Sequence, residues 1–282
     1  MEDAVVAAAS SMYVIKASGE KQKFNRKKLI QTILNAGASD KLLNKTLRKV
    51  KKESYKGIKT GEILRIILAS LKEEPGVAQR YNIKRAIMML GPTGFPFEKF
   101  VARVLEEYGY KTRVGVVVKG KCVAQEVDVE ARKGKKKYMI ECKYHNSPGK
   151  KSDLKVAMYT YARFLDVKHK KYNQPWLVTN TKCTNEAEKY AGCSGLKIIS
   201  WRYPKNKGLE QLLIEKGLYP ITTLSSINFK TKQKLVNANI MLLKDLFRHR
   251  IPWLRIKTKL PKKVIERLKK EAIEIMEPQT KK

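Results

Sequence analysis

Two strand-like runs separated by a short basic turn constrain the fold of this chain more than any other feature of the sequence. The runs cover residues 123–131 and 138–144, and both are apolar at alternate positions. The stretch between them, 132–137, is basic and contains Gly134 followed by Lys135, which is typical of a hairpin turn. An antiparallel pair of this kind fixes which side chains face each other across the two strands.

The hairpin brings acidic and basic side chains together. If the turn is centred on Gly134-Lys135, Asp128 faces Glu141, with the two Cβ atoms about 5 Å apart. Lys143 lies two residues beyond Glu141 and therefore shares its face. Two carboxylates at this separation suit Mg²⁺ or Mn²⁺, which lower the pKa of a bound water and neutralise charge on a phosphate. The lysine can hold the attacking water or stabilise the transition state.

The same residues also have a purely structural interpretation. An acid and a base that face each other on a strand pair can form a cross-strand ion pair on a hydrated sheet face. A slip of one residue in the register would also separate the two carboxylates. The run Ile140-Glu141-Cys142-Lys143 alternates charged with apolar residues, which favours a strand inside an α/β layer.

The charge balance indicates a polyanionic partner. Lys and Arg number 61 against 26 Asp and Glu, a formal net charge of +35 over 282 residues. Surface ion-pair networks would need acids in matching number, so the basic excess favours nucleic acid as the partner. No run reaches the roughly 18–20 apolar residues of a membrane span, and the first residues do not resemble a secretory signal. We therefore expect no membrane association, a cytoplasmic, nucleoid-associated protein, and four free cysteine thiols.

Changes in pattern along the chain predict an α/β middle part flanked by two helical parts. The expected parts are a flexible tail at 1–12, an α-rich module at 13–92, an α/β domain at 95–203 and a basic helical region at 207–282. In the first module, Asn25 is expected to cap the first helix and Thr60 the third. A single fourth helix is expected over 77–90, before the Gly91-Pro92-Thr93-Gly94 stop.

Four segments of the middle part carry a family resemblance: FEKFVARVLEEYGY, EVDVEA, YMIECKYH and WLVTNTKCTNEAEKYA. In this order they resemble the Mrr-like, type IV restriction endonuclease branch of the PD-(D/E)xK nuclease superfamily. The resemblance implies a restriction-endonuclease-like α/β core and the catalytic residues Glu98, Asp128, Glu141 and Lys143. It also implies that Asp128, Glu141 and the backbone carbonyl of Cys142 bind the metal. The branch often has a glutamine on the following helix, and this chain has none there.

The first module offers cations and a hydroxyl for a phosphate chain. Lys16 and Lys28 can pair with a triphosphate, and Thr60 provides a hydroxyl near free amides at a helix start. The segments VIKASGEKQKFNRKKL, GIKTGEIL and QRYNIKRAIMML resemble the ATP-cone, the nucleotide-binding regulatory domain of ribonucleotide reductases. The resemblance implies ATP or dATP as a regulatory ligand. It places the nucleotide contacts at Val14, Lys16, Asn25, Lys28 and Thr60.

The first module departs from the ATP-cone pattern at two positions. Ala17 stands where a second basic residue is common, and Gln22 where an acid is frequent. The alternative is a small basic module that binds DNA or its own chain and has lost the nucleotide site.

The sequence pattern predicts that the C-terminal region is helical and basic. Two short helices joined by 237–239 suggest a helix-hairpin-helix-like DNA clamp, although this stretch lacks the usual glycine. A longer helix is expected at 262–276. The residues expected to contact DNA phosphates are Lys155, Lys262, Lys263, Arg267 and Lys270. The alternative is a solvated helix face.

Together these observations favour a Mg²⁺-dependent (or Mn²⁺-dependent) DNA endonuclease that is regulated by ATP or a related nucleotide. We expect it to act in restriction, repair or recombination, and the sequence is compatible with a homodimer. One alternative is a nucleotide-sensing DNA-binding regulator with a nuclease fold and no turnover. Another is a structural, chromatin-like protein that coats DNA.

Overall fold

The computed structural model describes residues 12–277, so almost all of the tail expected at 1–12 lies outside the described residues. The contacts divide the chain into two compact units. Within the described residues, the first unit runs to Ile83 and includes the segment from Lys270 onward, and the second is Lys84–Lys269. No helix in the described part of the chain is long and apolar enough to cross a membrane.

The first unit is a two-stranded hairpin followed by helices. Its elements are β1 (Tyr13–Ile15), β2 (Lys21–Lys23), α1 (Arg26–Asn35), α2 (Asp40–Glu53), α3 (Thr60–Leu71) and α4 (Val77–Tyr81). The Asn25 side chain caps α1 by accepting a 2.8 Å hydrogen bond from Lys28 N, as predicted. The helices bury one apolar face each, and Ile33, Ile67 and Leu71 are at most 2% exposed.

Two expectations for this part of the chain were wrong. Thr60 does not cap α3, because it is the first residue of the helix and Lys59 occupies the cap without a side-chain hydrogen bond. The single helix expected over 77–90 is two helices, because Asn82 leaves helical geometry with φ −92° and ψ 12°. Asparagine competes for backbone hydrogen bonds and is a weak helix former.

The described residues from Lys270 onward are part of the first unit. Arg80, which is 7% exposed, donates from Nε to the carbonyl of Ala36 at 2.6 Å and from Nη1 to that of Ile275 at 2.9 Å. Gly76 has φ 74°, and a Cβ there would lie 2.3 Å from the carbonyl oxygen of Glu274. The glycine therefore permits a close backbone approach that no other residue type would allow.

The second unit is built on a five-stranded sheet with the order β3-β4-β5-β7-β9. The first three strands are antiparallel and the last three parallel, so the sheet is mixed. The strands are β3 (Lys111–Lys119), β4 (Ala124–Lys133), β5 (Lys136–Lys143), β7 (Gln174–Thr179) and β9 (Lys197–Ile199), with β6 (Lys151–Ser152) and β8 (Lys182–Cys183) forming a small parallel pair. The expected α/β class is confirmed.

The remaining helices include three that pack on the sheet and those of the C-terminal region. They are α5 (Ile83–Met88), α6 (Phe95–Glu107), α7 (Leu154–Val167), α8 (Asn185–Ser194), α9 (Leu209–Lys216), α10 (Phe229–Asn237), α11 (Asp245–Arg248), α12 (Ile251–Thr258) and α13 (Lys262–Met276). The three that pack on the sheet are α6 to α8. Tyr108 Oη donates to Leu212 O at 2.8 Å, and Thr222 Oγ1 donates to Ala86 O at 2.6 Å. These bonds attach C-terminal elements to the chain around α5 and α6 within the second unit.

Candidate active site

The β4–β5 hairpin has the predicted turn. Lys133 pairs with Lys136 and the ladder runs up to Val129 with Ile140, while Gly134 takes φ 57° in the turn between the strands. Asp128 and Glu141 are the next residues in this register. The regular ladder ends just before them. There the side chain of Asp128, on β4, contacts the main chain of β5 instead.

Asp128 is held against the backbone of β5. Its Oδ2 accepts a hydrogen bond from Cys142 N at 2.7 Å. Burial raises the pKa of Asp128 above its ordinary value, although this N–H bond and the nearby charges of Arg163 and Lys143 oppose the rise. The carboxylate is thus fixed at the edge of the hairpin, beside the strand that carries Glu141 and Lys143.

Glu141 and Glu98 lie close enough to Asp128 to repel it. Burial, together with repulsion by Asp128, raises the pKa of Glu141 to about 7. Glu98, in the first turn of α6, also has its pKa raised to about 7 by burial and by repulsion from Asp128, Glu126 and Glu141. The structure therefore brings together three carboxylates that stand far apart in the sequence.

Lys143 is exposed at the end of β5, where it pairs in register with Thr179 of β7. Its charge lowers the pKa of both Asp128 and Glu141, which places the ammonium within electrostatic reach of both carboxylates. An exposed cation at this position can meet an approaching phosphate.

The cluster also contains three residues that the sequence analysis does not predict: Gln125, Glu126 and Arg163. Arg163 of α7 donates from Nη1 to the Glu141 carboxylate, from Nη2 to the Glu126 carbonyl and from Nε to Gln125 Oε1 at 3.1 Å. Glu126 is exposed and its charge raises the pKa of Glu98, Asp128 and Glu141. Its position two residues before Asp128 was a usable signal, because alternate residues of a strand share a face.

The donor set fits a small divalent cation that keeps part of its water shell. Mg²⁺ is commonly held by one or two carboxylates and completes its shell with water and substrate phosphate, which Asp128 and Glu141 can satisfy. Among residues 12–277, no group of three or more His, Cys, Asp or Glu side chains is arranged to hold a metal by itself. The Cys142 thiol adds no ligand, since burial raises its pKa well above the usual value and keeps it protonated.

The nucleotide-binding residues expected in the first unit lie on neighbouring segments. Ile15 N donates to Ile58 O at 3.0 Å, so β1, which carries Val14, runs beside the segment that leads into Thr60. Val14 is buried in the hydrophobic core and can offer a ligand only its main chain. Lys16, which follows β1, forms a 3.0 Å ion pair with Glu20.

The cations expected to contact DNA are all exposed. Lys155 lies on α7, and four others lie on α13: Lys262, Lys263, Arg267 and Lys270. Lys263, Arg267 and Lys270 are spaced four and three residues apart, so they share one face of the helix. Lys262 is 3.7 Å from Glu266, an exposed ion pair.

Comparisons with known proteins agree with this architecture. Family models match three consecutive stretches: "ATP cone domain" at 12–87, "Restriction endonuclease" at 91–202 and "AF1548-like, C-terminal" at 219–276. An uncharacterized protein of Archaeoglobus fulgidus is 51% identical over 146 residues, which are 52% of this chain and 83% of that protein. The crystal structure of a protein of unknown function, AF1548, matches with a TM-score of 0.60 and 44% identity over 65% of this chain and 98% of that chain.

Proposed function

Because the chain belongs to the AF1548-like family and joins an ATP cone domain to a restriction endonuclease domain, we propose that it is a metal-dependent DNA endonuclease whose activity responds to a bound nucleotide. The excess of positive charge supports DNA as the substrate. Its place of action would be the nucleoid, in restriction, repair or recombination.

One observation carries the proposal: Asp128 accepts a hydrogen bond from the main chain of β5 at Cys142, between Glu141 and Lys143, and lies within electrostatic reach of Glu98. Burial, followed by repulsion from the neighbouring carboxylates, raises the pKa of both glutamates to about 7, and a bound cation would relieve that repulsion. Perturbed carboxyl groups of this kind concentrate at functional sites.

Each side chain has a distinct task in this chemistry. A bound divalent cation supplies charge neutralisation at the attacked phosphate and acidifies a coordinated water. Asp128 and Glu141 would hold it, with the Cys142 carbonyl as a third donor. Lys143 would orient the attacking water or stabilise negative charge on the phosphate. Glu98, with a pKa of about 7, can hold or release a proton near neutral pH.

The first unit would bind ATP or dATP as a regulatory ligand. The proposed contacts are Val14, Lys16, Asn25, Lys28 and Thr60. The pairing of β1 with the segment before α3 supports this group, because it places the start of α3 beside β1. Free amides at a helix start favour a phosphate group.

DNA would be held outside the catalytic cluster by backbone contacts. The proposed residues are Lys155, Lys262, Lys263, Arg267 and Lys270. Exposed lysine and arginine side chains bind phosphates without reading sequence, so these contacts would set affinity and leave specificity to other features.

The direct test incubates plasmid, branched and single-stranded DNA with Mg²⁺ and compares wild type with Asp128→Ala. We expect Mg²⁺-dependent cleavage of at least one substrate by the wild type and none by the variant. Absence of cleavage by any wild-type preparation would refute the proposal, as would equal cleavage by the variant.

A second candidate is a nucleotide-sensing DNA-binding regulator that retains the nuclease fold without turnover. It is favoured by the engagement of Glu141 with the Arg163 guanidinium, because that ion pair occupies a carboxylate on which catalysis would depend. This candidate predicts salt-sensitive DNA binding that survives Lys143→Ala and no cleavage by the wild type.

A further inference from the structure

A single guanidinium lies inside the cluster of carboxylates. The side chain of Arg163 is 10% exposed and that of its partner Glu141 is 13% exposed, so the ion pair is largely removed from water. A buried ion pair is retained only when the remaining donors also find partners. Here all three nitrogens of the guanidinium have an acceptor.

Arg163 is held in place by a chain of polar contacts. Gln125 accepts from Arg163 Nε through Oε1 and donates from Nε2 to Asp166 Oδ2 at 2.8 Å, which fixes the direction of its amide. Asp166 is itself anchored by the main-chain N–H of Cys122 at 2.6 Å. The ring of Tyr159 lies 5.3 Å from the guanidinium carbon. The arginine is thus oriented by its own helix, by the first residues of β4 and by Glu141 of β5.

The charges around Arg163 indicate what its ion pair with Glu141 does. Glu98, Glu126, Asp128 and Glu141 repel one another, and two cations, Arg163 and Lys143, oppose that repulsion; Arg163 does so through a direct ion pair with Glu141. Lys143 is exposed, so Arg163 is the more buried of these two cations. A divalent cation held by Asp128 and Glu141 would carry out the same neutralisation at the same carboxylate.

We propose that Arg163 is a built-in counter-cation of Glu141 and that its guanidinium competes with a divalent metal ion for that carboxylate. This inference rests on the proposed function. Arg163 acts through Glu141 and is therefore a positioning residue. It keeps the carboxylate oriented before metal arrives, at the cost of weaker metal binding.

The experiment measures Mn²⁺ binding to the full-length protein without DNA, by electron paramagnetic resonance of the free ion. The variants are Arg163→Gln, Arg163→Lys and, as a matched control, Arg113→Gln, which removes one positive charge from neighbouring β3. Measurements at about pH 8.5 keep the carboxylates ionised after the guanidinium is lost. Glu141→Gln, in the wild type and in Arg163→Gln, identifies binding at this site.

We expect Arg163→Gln to bind Mn²⁺ about tenfold more tightly, because a charge-assisted hydrogen bond no longer competes for Glu141. Arg163→Lys keeps the charge and should restore an affinity close to the wild type, while Arg113→Gln should change little. Equal or weaker binding by Arg163→Gln, with Glu141-dependent binding in the wild type, overturns this inference alone. Absence of Glu141-dependent binding in every variant overturns the metal-dependent function as well.

Discussion

The guanidinium of Arg103 lies against the carboxylate of Asp245, with Nη2 2.6 Å from Oδ1. The two side chains are only 7% and 3% exposed. Asp245 also accepts the main-chain N–H groups of Met241 and Leu242 through Oδ2, at 3.0 and 2.9 Å. The carboxylate therefore joins α6 of the nuclease core to the loop that precedes α11.

Removal of this carboxylate should destabilise the second unit strongly. Asp245→Ala removes one of the three carboxylates that pair with Arg103 and leaves the N–H groups of Met241 and Leu242 without their acceptor. We therefore expect a loss of about 3–5 kcal/mol in the free energy of unfolding. Urea denaturation followed by circular dichroism measures the loss. Glu266→Ala, which removes an exposed ion pair 3.7 Å from Lys262, is the control and should change stability by less than about 1 kcal/mol. Equal effects of the two substitutions would contradict the prediction.

The raised pKa of Glu98 should make stability depend on pH. Its pKa is about 7 in the folded protein against a reference of 4.5, so between these values the folded state binds more protons than the unfolded state. This carboxyl therefore lowers stability as pH rises from about 4.5 to 7, and its penalty is complete above 7. Glu98→Gln should stabilise the metal-free protein by about 1 kcal/mol at pH 8, after discounting for solvent screening, and by little at pH 5. A pH-independent difference would refute this assignment.

Substitution of Lys143 should reduce DNA cleavage without reducing DNA binding. Lys143→Ala removes the cation proposed to orient the attacking water or to stabilise negative charge on the phosphate, so cleavage should fall by about 100-fold or more. DNA affinity should change little, as measured by fluorescence anisotropy in Ca²⁺. Lys136→Ala, at the turn end of the same strand, is the control and should cleave like the wild type. A parallel loss of affinity would show that Lys143 mainly binds DNA.

Substitution of Lys28 tests the nucleotide site proposed for the first unit. Lys28→Ala in the full-length protein should weaken ATP binding about tenfold, because a charge-assisted contact with a phosphate is lost. Isothermal titration calorimetry gives the dissociation constants, and the adjacent exposed Lys27→Ala serves as the matched control. If the two variants bind ATP equally well, Lys28 does not contact the phosphates.

The exposed face of α13 should control the salt dependence of DNA binding. Removing both cations in Lys263→Ala/Arg267→Ala should lower the slope of log affinity against log salt by about 2, one unit for each phosphate contact. Lys111→Ala/Lys119→Ala, two exposed lysines on β3, should leave the slope unchanged. An equal reduction by both pairs would indicate a nonspecific effect of net charge.

The register of the β4–β5 hairpin could be predicted because strand periodicity and a glycine turn are local properties of the sequence. The hairpin ladder has the expected register. Helix α13 was also predictable from its apolar spacing, and its ends agree with the expected 262–276.

The network around Arg163 could not be predicted in the same way. It joins α7 to Gln125 and Glu126 over 37 or 38 positions, and a lone arginine on a helix has the same pattern as a solvated one. Helix α12 was missed because its eight residues begin with Ile251-Pro252 and are too short for a clear period. Only tertiary packing reveals such elements.

The hydrogen bond from Arg80 to Ile275 has a consequence for biosynthesis, since it joins residues 195 positions apart. Ala272 and Ile275 are fully buried and belong to the first unit, so this unit uses side chains that are translated long after its first helices. This unit therefore cannot complete its folding while the middle of the chain is still being translated, as an N-terminal module that folds vectorially would. Its final packing must wait until residue 275 has been translated, and a fragment that stops at residue 87 would lack the main-chain acceptor that Ile275 provides for Arg80.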